Sequence, residues 1–177
     1  AVETLDIPVE GFGQPQVNAL AKAADGSLWA VCQTFETEEQ SDSDYIWSFA
    51  HLSSDGTPLE TVRADFSDSG LNAADVFLQY LAADDAGHLI CADYSDTIYI
   101  FDESGKLLKT LSQDGKYGNL ATLDKGLIGI LFYDDSGNQV FAEIDLETLD
   151  WGETIPLSVD AWDVFADPNG GGFYFHA

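Results

Sequence analysis

Apolar and polar residues alternate along most of this chain in short runs, and the runs are separated by clusters of Asp, Gly, Ser and Asn. Period-two patterning bounded by residues that tolerate tight turns predicts β-strands and hairpins rather than helices. The stretch 81–111, LAADDAGHLICADYSDTIYIFDESGKLLKTL, shows this most clearly. Its turn signals, Asp85-Ala86-Gly87, Ser95-Asp96 and Asp102-Glu103-Ser104-Gly105, divide it into four strands.

The same unit recurs. Asp25-Gly26-Ser27-Leu28-Trp29 matches Ala86-Gly87-His88-Leu89-Ile90, and residues 124–128 and 169–173 match it again, so the turn glycines fall at 26, 87, 126 and 171. The first interval is lengthened by two polar insertions, 36–44 and 63–72, which surface loops tolerate. A repeat of about 40 residues built only from short strands predicts a β-propeller blade. The expected fold is therefore all-β, a single β-propeller domain or propeller fragment of four-stranded antiparallel blades. Complete blades are expected at about 17–63, 76–111 and 119–157, with a partial fourth at 162–177 that an N-terminal strand at 4–9 would complete. A small four-bladed ring and a part of a larger propeller both satisfy this pattern, and a β-sandwich of the same strands is the competing arrangement.

Residues 91–111, CADYSDTIYIFDESGKLLKTL, resemble a blade of the NHL-repeat type of β-propeller. The likeness rests on the Ala92-Asp93 step, the hydrophobic strand 98–101, and Phe101-Asp102 followed by Gly105-Lys106. It covers that one blade well. The blades at 17–63 and 119–157 keep the turn glycine and the strand spacing but lack the Ala-Asp step. The resemblance implies the architecture of divergent bacterial propellers, including those of secreted or lipid-anchored proteins, and implies no activity.

Composition adds two constraints. With 45% hydrophobic and 12% aromatic residues in 177 there is ample material for one core. The net charge of −26, from 32 acidic against 6 basic residues, repels phosphate backbones and anionic lipid headgroups, so nucleic acid is excluded as a direct ligand. The longest apolar stretch, 127–133, is strand length, and no membrane insertion of this domain is expected. The chain begins at Ala1 and contains no Met, which suits a mature exported domain. The expected location is extracellular or at the surface of a bacterium, with the cytoplasm as the alternative.

Candidate chemistry is sparse. His51, His88 and His176 belong to no H-x-x-x-H or H-E-x-x-H pair, there is no G-x-S-x-G elbow, and no cofactor is implied. Cys32 and Cys91 are expected to be buried free thiols. The pattern favours a non-catalytic extracellular binding or scaffold module that presents loop surfaces to a protein or small ligand, as part of a larger secreted or surface-anchored protein. Loops joining second to third strands, and one blade to the next, would gather Glu38, Asp42, Asp44, Asp68, Asp93 and Asp96 on one face. The insertion 36–44 lacks the spacing of a Ca²⁺-wrapping loop and is expected to be a mobile, solvated excursion with no metal. Trp151, in a predicted turn beside Gly152, and Trp162 are the aromatic ligand-binding candidates. One alternative is a metal-dependent propeller hydrolase or lyase that gathers Asp75, Asn119, Asp160 and Asp163 at the axis. A second is a carbohydrate-binding propeller. The expected partner is a protein or a carbohydrate, and self-association that completes the ring is a further expectation.

Overall fold

A computed structural model describes residues 7–84, 86–93, 97–112, 116–123, 127–134, 136–167 and 172–177. The first sheet holds β1 (Phe12–Lys22), β2 (Leu28–Phe35), β3 (Tyr45–Leu52) and β4 (Pro58–Arg63). A short 3-10 turn at Ala73–Asp75 precedes the second sheet, β5 (Tyr80–Ala83), β6 (His88–Ala92), β7 (Thr97–Asp102) and β8 (Leu107–Ser112). The third holds β9 (Lys116–Leu123), β10 (Leu127–Tyr133), β11 (Gln139–Asp145) and β12 (Asp150–Pro156), and β13 (Asp163–Ala166) pairs with β14 (Phe173–His176) in a two-stranded sheet.

Every sheet is a meander of consecutive antiparallel strands, and among the described residues no strand crosses from one sheet to another. That connectivity excludes the sandwich. The first strands of successive sheets are neighbours in space, β1 beside β5, β5 beside β9 and β9 beside β13. The sheets therefore stand radially around an axis and pack face to face, which is a β-propeller arrangement.

Because the first two sheets are covered on both faces, their middle strands are buried almost throughout rather than at alternate positions. In β2, Trp29 to Thr34 are all buried, and β7 is buried from Ile98 to Phe101. Alternation instead decides which neighbour each side chain meets. Trp29, Val31, Trp47 and Phe49 of the first sheet meet Leu89, Cys91, Tyr99 and Phe101 of the second. Ile90, Ala92, Ile98 and Ile100 on the other face of the second sheet meet Ile130, Ala142 and Ile144 of the third. Leu131 and Phe141 on the far face of the third meet Val164 and Phe173 of the last hairpin. Gly129 makes room in that last interface, since a Cβ there would lie 2.5 Å from the ring of Phe141 and 2.7 Å from that of Phe173.

The far face of the first sheet carries Ala30, Cys32, Ala50 and Leu52, and Ile7 packs on them with Val9 beside it. Residues 7–9 form no strand, and residues 4–6 of the expected strand 4–9 lie outside the described residues.

A stitch joins the first two sheets at their outer margin. The Asp65 N–H donates to the Gly105 carbonyl (2.8 Å) and the Leu107 N–H to the Asp65 carbonyl (3.0 Å). Gly105 has φ +83°, and a Cβ on it would lie 2.3 Å from the Arg63 carbonyl oxygen, so only glycine fits this turn.

Candidate functional site

Four inner strands enclose an axial cavity of about 270 Å³, lined by Leu20, Lys22, Leu81, Leu120, Val164 and Phe165 with intervening alanines. These residues lie toward the ends of β1, β5 and β13 that lead into the next turn. The lining side chains are aliphatic or aromatic apart from Lys22, although the surface the walls expose is more polar than apolar. The other cations with described side chains are each paired: Arg63 with Glu36, Lys106 with Asp68 (2.9 Å) and Lys109 with Asp150 (3.2 Å). Of the residues in the alternative axial-metal reading, Asp75, Asp160 and Asp163 are not among those lining this cavity. Asp75 is exposed at the end of the 3-10 turn, Asp160 is exposed in the loop before the last hairpin, and Asp163 opens β13. Asn119 lies in β9 where its register with β10 shifts.

The acidic loop residues are held by local bonds. Loop 36–44 is closed by the Glu36 N–H donating to the Asp44 carbonyl (2.8 Å), by Thr37 Oγ1 donating to the Asp44 carboxylate, and by the Tyr45 hydroxyl donating to Asp42 (2.7 Å). The expected solvated excursion is thus a loop tied across its base, with Glu38 at its exposed tip. Asp68 pairs with Lys106, and Asp93 is buried, accepting from the Tyr99 hydroxyl (3.1 Å) and the Thr97 N–H (3.3 Å). Burial, followed by the Asp93 charge, pushes the Tyr99 phenol up. Asp96 lies outside the described residues.

On the turns, aspartates organise backbone. Asp25 accepts from Ser27, Asp55 from Thr57, Asp84 from Ala86 and His88, Asp102 from Ser104 and Lys106, and Asp134 from Ser136 and Asn138. A carboxylate accepting backbone N–H groups two and four residues ahead replaces main-chain partners that a tight turn cannot supply. Much of the acidity therefore has a structural cause at each hairpin.

A constellation invisible as a motif joins β2, β3 and β4. His51 stacks on Trp29, rings 4.4 Å apart and 3° from parallel. Its Nε2 lies 2.9 Å from Ser27 Oγ, and its Nδ1 lies 3.7 Å from Glu60 Oε1. Ser27 Oγ in turn donates to Asp25 Oδ1 (2.6 Å), and this bond holds the Asp25 carboxyl below its ordinary value. A cavity of about 160 Å³ beside it is lined by Asp25, Ser27, His51, Asp84 and Glu103. The hydroxyl proton is directed to Asp25, the Ser27 N–H also goes to Asp25 (2.8 Å) and the Gly26 N–H to the Ala23 carbonyl (3.0 Å). Those backbone donors are committed to the turn and cannot cradle an oxyanion. The cluster clamps a turn onto the sheet.

Of the two candidate tryptophans, Trp151 lies within β12 opposite Ile144, half-buried against the core between the second and third sheets, rather than exposed in a turn. Trp162 stands 76% exposed just before β13. It belongs to an aromatic surface that sequence reading resolved only in part. In the last hairpin Val164 and Phe175 face the third sheet, where Phe175 lies 5.1 Å from the Phe141 ring. Their neighbours Phe165 and Tyr174 pair across the hairpin on the opposite face, 53% and 57% exposed. Phe165 joins this surface to the axial cavity.

Comparison with solved structures agrees with the arrangement. The chain is similar to a Bacteroides caccae protein of unknown function (13% identity, TM-score 0.56), matched over 91% of this chain and 70% of that one. It is also similar to the Dos1 propeller (10%, 0.59; 87% of this chain, 40% of that). A third similar structure is dihydro-heme d1 dehydrogenase NirN in complex with DHE (14%, 0.51; 85% and 30%). The chain thus spans less than half the length of the latter two. At these identities the likeness establishes the fold, a β-propeller. No family model matches the chain, and no curated protein sequence matches it.

Proposed function

We propose that this chain is a non-catalytic binding or scaffold module, part of a larger secreted or surface-anchored bacterial protein, that presents a surface to a protein or small ligand. The observation that carries this reading is the exposed aromatic face of β13 and β14, continuous through Phe165 with the axial cavity. Exposed aromatic clusters of this kind mark recognition surfaces in water-soluble folds. The NHL-type resemblance of residues 91–111 and the acidic surface support an exported domain of this class.

The test is enzymatic. Incubated with a chromogenic phosphoester and a lactone, with Ca²⁺, Mn²⁺ or Zn²⁺ present, the chain is expected to give no turnover above buffer. Turnover abolished by Asp163→Ala would overturn the reading in favour of a metal-dependent hydrolase.

A further inference from the structure

The cleft between the first two sheets ends differently on its two sides. At one end His51 lies flat on Trp29. At the other, Phe35 and Tyr45 close the β2–β3 register, and their half-buried rings lie 5.2 Å apart with a 46° tilt. Phe77, between the 3-10 turn and β5, adds a third ring, 5.9 Å from Tyr45 and edge to face with it at 81°. Trp47 supports Phe77 from inside the core, with ring centroids 6.1 Å apart. Phe77 is nonetheless 44% exposed. The row is built by two sheets that each have four paired strands, and it owes nothing to the last hairpin.

Acids border these rings. Loop 36–44, which joins Phe35 to Tyr45, carries Glu36, Glu38, Glu39, Asp42 and Asp44, and Asp75 ends the 3-10 turn two residues before Phe77. Arg63 neutralises Glu36, and among the described side chains no Lys or Arg pairs with the other four loop acids. The Tyr45 hydroxyl donates to Asp42 (2.7 Å), while Asp44 Oδ1 is buried and, among the described residues, accepts no hydrogen bond. The bond to Asp42, followed by desolvation and the charges of Asp42 and Asp44, pushes the Tyr45 phenol up, so the field at this ring is negative.

The group that suits both rings and acids is flat and cationic. A guanidinium stacks on aromatic faces, and its fork of N–H donors meets carboxylate oxygens in pairs. A second copy of this chain is a poor source of one, because its single arginine, Arg63, is held by Glu36 and it would bring a further net charge of −26. We infer that the Phe35, Tyr45 and Phe77 rings with loop 36–44 form a docking surface for an arginine-bearing loop of another protein, its guanidinium over Phe77 and its N–H groups toward Asp42. This rests on the binding-module reading and deepens it.

The probe is a fluorescein-labelled hexapeptide of alternating Arg and Gly, titrated with the full chain by fluorescence anisotropy at low salt. It is expected to bind at least about threefold more tightly than a Lys-Gly peptide of equal charge, since both feel the same field and only guanidinium stacks flat on a ring. Phe77→Leu keeps an apolar side chain against Trp47 and should weaken Arg-Gly binding about threefold or more by removing the ring. Asp42→Asn should weaken it by a similar factor, and Leu108→Ser on the outer strand β8 should leave it unchanged. In the unsubstituted chain, the amide NMR signals of Tyr45 and Phe77 should shift as the Arg-Gly peptide is added, and that of Leu108 should not. Equal affinity for the Arg-Gly and Lys-Gly peptides would reduce the effect to bulk charge and overturn the proposal. So would unchanged binding by Phe77→Leu or Asp42→Asn, amide shifts centred away from Phe77, or displacement by a neutral oligosaccharide such as maltoheptaose. Any of these leaves the binding-module reading standing; turnover in the hydrolase assay would remove both.

Discussion

The first and last inter-sheet faces of this propeller are both aromatic, and they differ in what lies opposite. Between the first and second sheets, Trp29, Trp47 and Phe49 close on Phe66, Tyr99 and Phe101, with Phe49 5.0 Å from Phe101 and Phe66 5.5 Å from it, both pairs edge to face. Trp47 Nε1 also donates to the Ala73 and Val76 carbonyls, each at 3.1 Å, so its polar atom is satisfied inside the core. On the outward face of β13 and β14, Phe165 and Tyr174 have the same strand alternation behind them and, among the described residues, no sheet in front. Identical local grammar makes core where a neighbour arrives and an exposed aromatic face where, among the described residues, none does.

The contrast can be broken most severely at Phe49, which is fully buried. Phe49→Ala is expected to cost about 3–5 kcal/mol in urea-unfolding stability, the usual range for removing a buried ring. A loss below about 1 kcal/mol would mean that the first interface is not the stabilising unit described. Next in size is Gly129→Ala. Its methyl must displace Phe141 or Phe173, and overpacking of this kind costs about 1–3 kcal/mol. The effect should concentrate on the hairpin, read as faster amide exchange at Val164 and Phe175 than at Phe49.

Smaller again is Phe165→Ala, expected to change stability by no more than about 0.5 kcal/mol because the ring is already in water. A large loss would show that this face is covered in solution. The smallest effect is electrostatic. Bonds from the Asn138 backbone and side chain, followed by those of Ser136 and Gly137, hold the Asp134 carboxyl below its ordinary value of 3.8. Its contribution is therefore present above that ordinary value and is lost as pH falls through the lower folded value. Asp134→Asn should lower the melting temperature slightly at pH 7 and not at pH 2; an equal loss at both would mean that the charge is not what orders the turn.

Strands were legible because period-two alternation and turn residues are local signals. The strand read at 98–101 is observed as Thr97–Asp102, and the blade read at 119–157 as 116–156. Trp151 was misplaced because Gly152 beside it resembles a turn, although β12 runs on through that glycine and pairs Trp151 with Ile144. The His51 cluster depends on cross-strand register. Trp29 faces His51 because Phe35 faces Tyr45 across loop 36–44, and no residue spacing reveals that without first closing the hairpin. Of the aromatic surface only Trp162 was legible: that Phe165 and Tyr174 share a face follows from the β13–β14 register, and whether a sheet covers that face is a property of the assembled sheets.

The two cysteines point the same way around the axis, and the whole thickness of the first sheet separates them. Cys32 faces the segment holding Ile7, and Cys91 faces the first sheet from the second. Burial raises the Cys32 thiol to about 11 and the Cys91 thiol further, so neither presents thiolate in the native state. Each is consequently a built-in clock for a different event. A thiol-reactive dye would modify Cys32 at the rate at which residues 7–9 lift from the first sheet, and Cys91 at the rate at which two blades part, so one labelling time course separates fraying of a margin from the opening of an interior between blades.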